Sequence, residues 1–221
     1  MEELKELRSW GDGGGLGAKI FHPIPLSPYH PIIILKEVVM SRIKELKAPS
    51  SILPVLEKAG IKLRHFKTAE EFETVLLKFL RKNNILHLGT CKDNLPRTTP
   101  LEYRLWGFTF FILSEGGKKF VNLETNKNVS FSIAEPYHPK KDFWGAKGVQ
   151  AWGKALVYSK KTNPKRFEEA LQKMGVYESL KLIGVKELPR QFNYQIIEIT
   201  PDEIRFGNLR KGIYKTSWLR E

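Results

Sequence analysis

The sequence is poor in cysteine, and it contains no long run of apolar residues. Its 221 residues include a single cysteine, Cys91, so neither an internal disulfide nor a cysteine-rich zinc site can form. No apolar run approaches the roughly 18 to 20 residues that cross a bilayer, and the start, Met1-Glu2-Glu3-Leu4, carries acid where a secretory signal carries base. We therefore expect a cytoplasmic protein without a membrane partner. The histidines are scattered without the i, i+4 spacing of paired ligands on a helix, so we also expect no metal site.

The charge is strongly one-sided. The chain carries 37 Lys and Arg against 24 Asp and Glu, which gives a formal net charge of +13. Such a surface attracts anions, whether phosphate ligands, nucleic acid or acidic lipid. The basic residues are spread among hydrophobic segments, whereas a dedicated nucleic-acid face usually clusters them on one element. The net charge therefore favours an anionic ligand but does not identify which one.

Residues 1–67 are predicted to form an N-terminal extension to a domain at residues 68–221. The extension begins with an irregular lead that cannot sustain a helix, because the glycine-rich run Gly11–Gly17 is followed by four prolines. Apolar residues at helical spacing through Ile43, and a shorter apolar segment at Ile52–Leu56, then predict packing helices.

The remaining residues combine one clear helix with a series of strand patterns. Thr68 and Glu71 form a capping box ahead of an apolar helical stripe, and a second helix is predicted from Asn163 to Gly175. Between and after them, apolar segments bounded by turn residues predict strands, at residues 85–90, 97–106, 108–114, 129–134, 149–158, 192–200 and 203–206. Six or seven short strands with few helices indicate a mainly β fold with flanking helices, closed or nearly closed into a barrel.

Several predicted strands are apolar on both faces. In the segment Phe108–Leu113, aromatic and aliphatic side chains point both ways. Because a barrel buries only its inside, the outer apolar face needs a cover, which is either the flanking helices or a second subunit.

The segment after the third predicted strand has the features of an anion-binding site. The strand ends in the hydroxyl of Ser114, a Gly116-Gly117 turn frees backbone amides, and Lys118 and Lys119 open a short helix. A phosphate dianion favours charge-assisted donors, a helix N-terminus and nearby hydroxyl groups, and Arg97 on the preceding strand adds a planar donor. The alternative is a hairpin turn with a solvated pair of lysines.

The order of these motifs resembles the pyridoxamine 5'-phosphate oxidase-like family of FMN-binding split barrels. It comprises a proline-containing strand, an aromatic strand, Ser-x-Gly-Gly-Lys-Lys, Asn-Leu, Asn-x-x-Val-Ser and Trp-Gly-x-Ala, within residues 84–206. The resemblance implies a six-stranded split β-barrel and a homodimer that holds FMN at the subunit interface.

The resemblance also implies roles for individual residues. Lys118 and Lys119 match the basic pair that grips the FMN phosphate, with Ser114 and Asn122 close by. Gln150 and Trp152 match a strand that approaches the isoalloxazine, often from the partner chain. The strand that lines the flavin and reaches its phosphate is matched by Arg97, Thr98, Thr99, Pro100 and Leu101.

The implied activity is that of an oxidoreductase that transfers hydride or electrons between a small substrate and the flavin, with a nicotinamide as candidate donor. The flavin would carry the chemistry, so no catalytic residue is assigned. The vitamin B6 oxidases recognise their substrate phosphate with Arg-x-His-x-Arg, but the corresponding segment here, Arg205–Lys211, lacks the histidine. This argues against pyridoxamine phosphate and leaves a flavin reductase, a deazaflavin-dependent reductase and a haem-handling relative as alternatives.

The rival hypothesis is a binding module without turnover. In that reading the basic barrel binds nucleic acid by stacking bases on its aromatic side chains, or senses a bound flavin or haem.

Overall fold

A computed structural model describes residues 41–221 of the chain. Within this range one antiparallel sheet is flanked by helices. The strands are β1 Ser41–Glu45, β2 Ile85–Lys92, β3 Leu95–Glu102, β4 Arg104–Trp106, β5 Thr109–Ser114, β6 Asn128–Ala134, β7 Lys147–Ser159, β8 Gln195–Asn208 and β9 Ile213–Arg220. The helices are α1 Leu53–Lys58, α2 Ala69–Lys82, α3 Lys118–Thr125, α4 Pro164–Lys173 and α5 Val176–Leu182, and Leu209–Lys211 form a single 3-10 turn. The prediction of an irregular lead falls on residues outside the described range.

The two long strands β7 and β8 form the centre of the sheet. The strand order is β1-β9-β8-β7-β6-β2-β3, with β5 pairing the first part of β8 and β4 pairing β5. The later part of β8 pairs β9 instead. The register between β7 and β8 shifts at Trp152/Gly153. Gly153 is required there, because a Cβ atom at this position would lie 2.3 Å from the carbonyl oxygen of Thr200.

The prediction of a mainly β fold with flanking helices is confirmed, but the predicted strand count is not. The described sheet has nine strands in place of six or seven, and it is not closed, since β1 and β3 remain as its edges.

The helix predicted through Ile43 is wrong, because Ser41–Glu45 pairs with β9 as a strand. The turn predicted at Pro201-Asp202 lies inside β8, and the long strand predicted over residues 97–106 is divided at Tyr103. The predicted domain boundary between residues 67 and 68 stays a prediction.

Helices cover parts of both sheet faces. Helix α2 begins as predicted, with the Glu71 amide donating to Thr68 Oγ1 at 3.3 Å. Its apolar stripe, buried against the inner sheet face, stabilises the fold by about 1.5 to 3 kcal/mol per side chain, and it consists of Phe72, Leu76, Phe79 and Leu80. Helix α4, capped by Asn163, packs with β5, β7 and β8 in a second apolar cluster. No helix of the described range is long and apolar enough to cross a membrane.

Strand β7 shows how the two faces of the sheet differ. From Val149 to Leu156 its odd-numbered residues are buried and its even-numbered residues are exposed. The exposed set includes Gln150 and Trp152, and Trp152 keeps 39% of its surface accessible. The outer face of β7 is therefore available to a ligand or a partner.

Candidate functional site

The end of β5 and the start of α3 form a compact, positively charged turn. Gly117 occupies the N-cap position with φ 104°, and Lys118–Thr125 form the predicted short helix. The Lys119 side chain folds back so that Nζ donates to the Gly116 carbonyl, and only 6% of the residue is exposed. Lys119 Nζ lies 4.7 Å from the centroid of the Phe120 ring. A lysine whose ammonium group is held inside its own turn is positioned to meet an anion there.

Arg97 on β3 adds a second cation to this turn. Burial lowers the pKa of Lys119 below its ordinary value, and the positive charge of Arg97 lowers it further. No ion pair of the described residues includes Arg97, Lys118 or Lys119. Two cations that repel each other, and that form no ion pair with an acid of the described residues, create a site whose charge an anion would balance.

Asn122 connects helix α3 to the strands beside it. Its Nδ2 atom donates to Thr90 Oγ1 at 3.0 Å, and Thr90 lies opposite Arg97 in the β2–β3 ladder. The structure therefore brings Arg97, Lys119 and Asn122 to one corner of the sheet, and Thr90 joins them. Ser114 ends β5 just before this turn, as predicted.

The residues of β3 divide between the two sheet faces. Thr99 and Leu101 lie opposite buried leucines of β2 and therefore belong to the buried face. The alternate residues, Thr98 and Pro100, belong to the other face and lie opposite Gly89 and His87. Thr99 Oγ1 is buried and has no hydrogen-bond partner in the described part of the chain. A buried hydroxyl without a partner carries a desolvation penalty of about 1 to 3 kcal/mol, which a bound polar group would relieve.

Gln150 and Trp152 belong to a different surface within one chain. They lie on β7, which is separated from β3 by β2 and β6. Three strand spacings of the sheet amount to about 14 Å. The structure therefore does not bring Gln150 and Trp152 together with the corner of Arg97 and Lys119.

A polar network on the outer face surrounds Trp152. The Arg205 guanidinium carbon lies 5.1 Å from the centroid of the Trp152 ring. Arg205 donates to Glu203 Oε1 at 2.9 Å and to Ser217 Oγ at 3.4 Å, while Ser217 Oγ donates to Glu203 Oε1 at 2.7 Å.

Thr90, Glu203, Arg205 and Ser217 were not predicted as site residues. For Glu203 and Arg205, the signal was the period-two alternation of the predicted strand at residues 203–206, which places both on one face. For Ser217 no signal exists without knowing that β9 pairs with β8.

The described corner fits a phosphate group on its own chemistry. Within the described residues it offers a buried ammonium, a guanidinium without an ion pair, a helix N-terminus and, on the same strand as that guanidinium, a hydroxyl without a hydrogen-bond partner. These groups are the donors that proteins use for phosphate esters. The fold and this corner define the class of antiparallel β proteins that have a cationic corner beside an edge strand, here β3.

A comparison with models of protein families identifies the family of this chain. The family model described as pyridoxamine 5'-phosphate oxidase matches residues 72–208, more than half of the chain. The chain therefore belongs to the pyridoxamine 5'-phosphate oxidase family. A comparison with curated proteins finds no match.

Solved structures with a similar fold include proteins of several descriptions. A Listeria innocua protein provisionally named pyridoxamine 5'-phosphate oxidase is 17% identical, with a TM-score of 0.49, over 62% of this chain and 98% of its own. General stress protein 26 of Bacillus anthracis is 20% identical, with a TM-score of 0.46, over 68% and 98% of the two chains. A haem-binding protein of Mycobacterium smegmatis is 16% identical, with a TM-score of 0.49, over 72% of this chain and 60% of its own.

Proposed function

We propose that this protein is an FMN-binding oxidoreductase that acts as a homodimer in the cytoplasm. The observation that carries the proposal is the buried side chain of Lys119 beside Arg97, neither of which forms an ion pair with any of the residues that the structure describes. The single cysteine, Cys91, favours a reducing compartment. The substrate is a small molecule, and a reduced nicotinamide is the proposed electron donor.

A phosphate monoester suits this corner better than a neutral ligand. Arg97, Lys118 and Lys119 supply three positive charges, which balance a dianion and leave a net attraction. Asn122 and Ser114 provide neutral polar groups beside them. FMN carries such a phosphate at the end of a flexible chain, with its reactive ring system at the other end.

The separation of the two groups of residues supports a site shared by two chains. The corner of Arg97 and Lys119 would hold the phosphate, while Gln150 and Trp152, about 14 Å away across the sheet, would contact the ring of the FMN held by the partner. The exposed outer face of β7 supports this arrangement, because a second chain would cover it.

The residues of this chain have distinct tasks in the proposed mechanism. Bound FMN would supply hydride or electron transfer through its N5 atom. Lys118, Lys119 and Arg97 bind its phosphate, and Thr98 to Leu101 line the cofactor along β3. Gln150 and Trp152 shape the ring site and exclude water from it.

The first test is the absorption spectrum of the purified protein, followed by chromatography of any released small molecule. A flavin spectrum with FMN released at about one per chain, one for each phosphate corner of a homodimer, supports the proposal. If the protein is colourless, FMN is titrated into it, and absence of binding rejects the proposal. A haem spectrum in place of a flavin spectrum also rejects it.

The second test distinguishes a specific phosphate site at this corner from nonspecific attraction of FMN by the positive charge of the protein. Replacing both Lys118 and Lys119 by alanine removes two charge-assisted contacts and should weaken FMN binding at least about a hundredfold. The matched control replaces Lys140 and Lys141, an adjacent and exposed pair in the loop after β6, and should leave FMN affinity unchanged. Equal effects in the two variants would reject the assignment of the phosphate site.

A further inference from the structure

Trp152 is held in place by a network that reaches across three strands. Its ring lies against Arg205 of β8, Arg205 is bound by Glu203 of the same strand, and both are bound by Ser217 of β9. Ser217 is only 1% exposed, so the β9 end of the network is shielded from solvent.

We propose that Arg205 is a positioning residue, which covers one face of the Trp152 indole and fixes its orientation, so that the open part of the indole meets a planar ring ligand. The identity of that ligand as the flavin ring rests on the proposed function, whereas the fixing of Trp152 does not.

The surroundings of Trp152 explain why it needs such support. Its neighbours on β6 and β7 of the outer face are short or flexible, namely Ser130 directly opposite, and Gln150 and Lys154 two residues before and after it. An exposed indole on a sheet rotates about two side-chain torsions unless something packs against it. A guanidinium within about 6 Å of the ring centroid holds it by cation–π attraction.

The network also fixes Arg205 itself. An arginine on a sheet surface otherwise loses conformational entropy when a ligand orders it, and this loss opposes binding. Here the Glu203 carboxylate accepts from Nη2, Ser217 Oγ accepts from Nε, and Ser217 in turn donates to Glu203. The side-chain conformation of Arg205 is therefore already fixed in the ligand-free protein, as a preorganised binding site for a ring requires.

The first arm of the test needs no flavin. Relaxation of the Trp152 indole Nε1–H group is measured by NMR, with the resonance assigned as the one that Trp152→Phe removes. Arg205→Ala should increase the fast motion of this group, Ser217→Ala should do so to a smaller degree, and Arg205→Lys should restore part of the order. Arg104→Ala, which removes an arginine paired with Glu102, is the control and should leave it unchanged. Unchanged relaxation in Arg205→Ala overturns the proposal.

The second arm compares FMN with lumiflavin, which has the ring system but no phosphate. Arg205→Ala should weaken both ligands by the same factor, about fivefold, because only the ring contact is lost. The Lys118/Lys119 double alanine variant should weaken FMN alone. Circular dichroism and the melting temperature establish that Arg205→Ala is folded.

The outcomes separate the two proposals. If the wild-type protein binds lumiflavin and Arg205→Ala binds it equally well, the positioning role in ligand binding is overturned while the flavin proposal stands. If the wild-type protein binds neither FMN nor lumiflavin, the flavin proposal fails, and the relaxation of the Trp152 indole alone decides whether Arg205 positions it.

Discussion

Lys119 combines a structural cost with a proposed binding role. Its ammonium group is buried next to Arg97, so its charge destabilises the ligand-free fold. We expect Lys119→Met to raise the free energy of unfolding of the ligand-free protein, because the cost of the desolvated charge outweighs its hydrogen bond to Gly116, while it weakens FMN binding. Urea unfolding and FMN titration measure the two effects. Lys118 is exposed, so Lys118→Met should leave unfolding unchanged, and a stability loss in Lys119→Met would contradict the interpretation.

The same lysine should make FMN affinity fall in alkaline solution. Its pKa in the folded protein is lowered from the ordinary 10.5. As pH rises through the lowered pKa towards 10.5, the folded state loses its proton before the unfolded state does, so the ligand-free protein gains stability in this window. FMN affinity should fall in the same window, because the phosphate loses a cation. Titrations at increasing pH test this, with Lys119→Arg as the control that stays charged and should not show the decline.

At the level of elements, the turn between β5 and α3 depends on Gly117. Its φ of 104° lies in the region that favours glycine, and a Cβ atom there would lie 3.5 Å from Lys119 Nζ. We expect Gly117→Ala to destabilise the protein by about 1 kcal/mol and to weaken FMN binding, because the start of α3 shifts. Gly207→Ala is the matched control, since that glycine has ordinary φ and open space around its Cβ position. Thermal unfolding and FMN titration of both variants check this, and equal behaviour would contradict it.

Elements whose signals are local could be predicted from the sequence. The Thr68 cap with its apolar stripe and the Asn163 cap with Pro164 predict α2 and α4, and both helices begin where expected. Strand β9 lacks the alternation that predicts a strand, because three successive residues, Thr216 to Trp218, are buried. The apolar spacing of strand β1 fits a helix, and only pairing with the distant β9 makes it a strand.

In the candidate site, too, features with a local sequence signal could be predicted, whereas features that depend on distant contacts could not. Ser114 to Lys119 are contiguous, so the turn and its charge could be predicted together. The orphaned Thr99 hydroxyl and the link from Asn122 to Thr90 depend on how β2, β3 and α3 meet, which no local pattern encodes. The network of Arg205 and Ser217 joins residues twelve apart on paired strands, and it becomes visible only when the register of β8 and β9 is known.

At the level of the whole molecule, the proposed homodimer predicts complementation between defective chains. One variant lacks the phosphate corner through Lys118→Ala and Lys119→Ala, and the other lacks the ring wall through Gln150→Ala and Trp152→Ala. Each alone should bind FMN poorly, since every site in its homodimer has one defective half. In a mixed dimer, one site combines both intact halves and the other combines both defective ones.

Random assembly of equal amounts therefore predicts that about one quarter of the wild-type number of sites recover FMN binding, because half of the dimers are mixed and each has one intact site. The two variants are co-refolded or co-expressed, and bound FMN is counted per chain after gel filtration. The control is the variant with Lys118→Ala and Lys119→Ala alone, taken through the same treatment. No recovery above the separate variants would mean that a single chain supplies both halves, and it would reject the shared site.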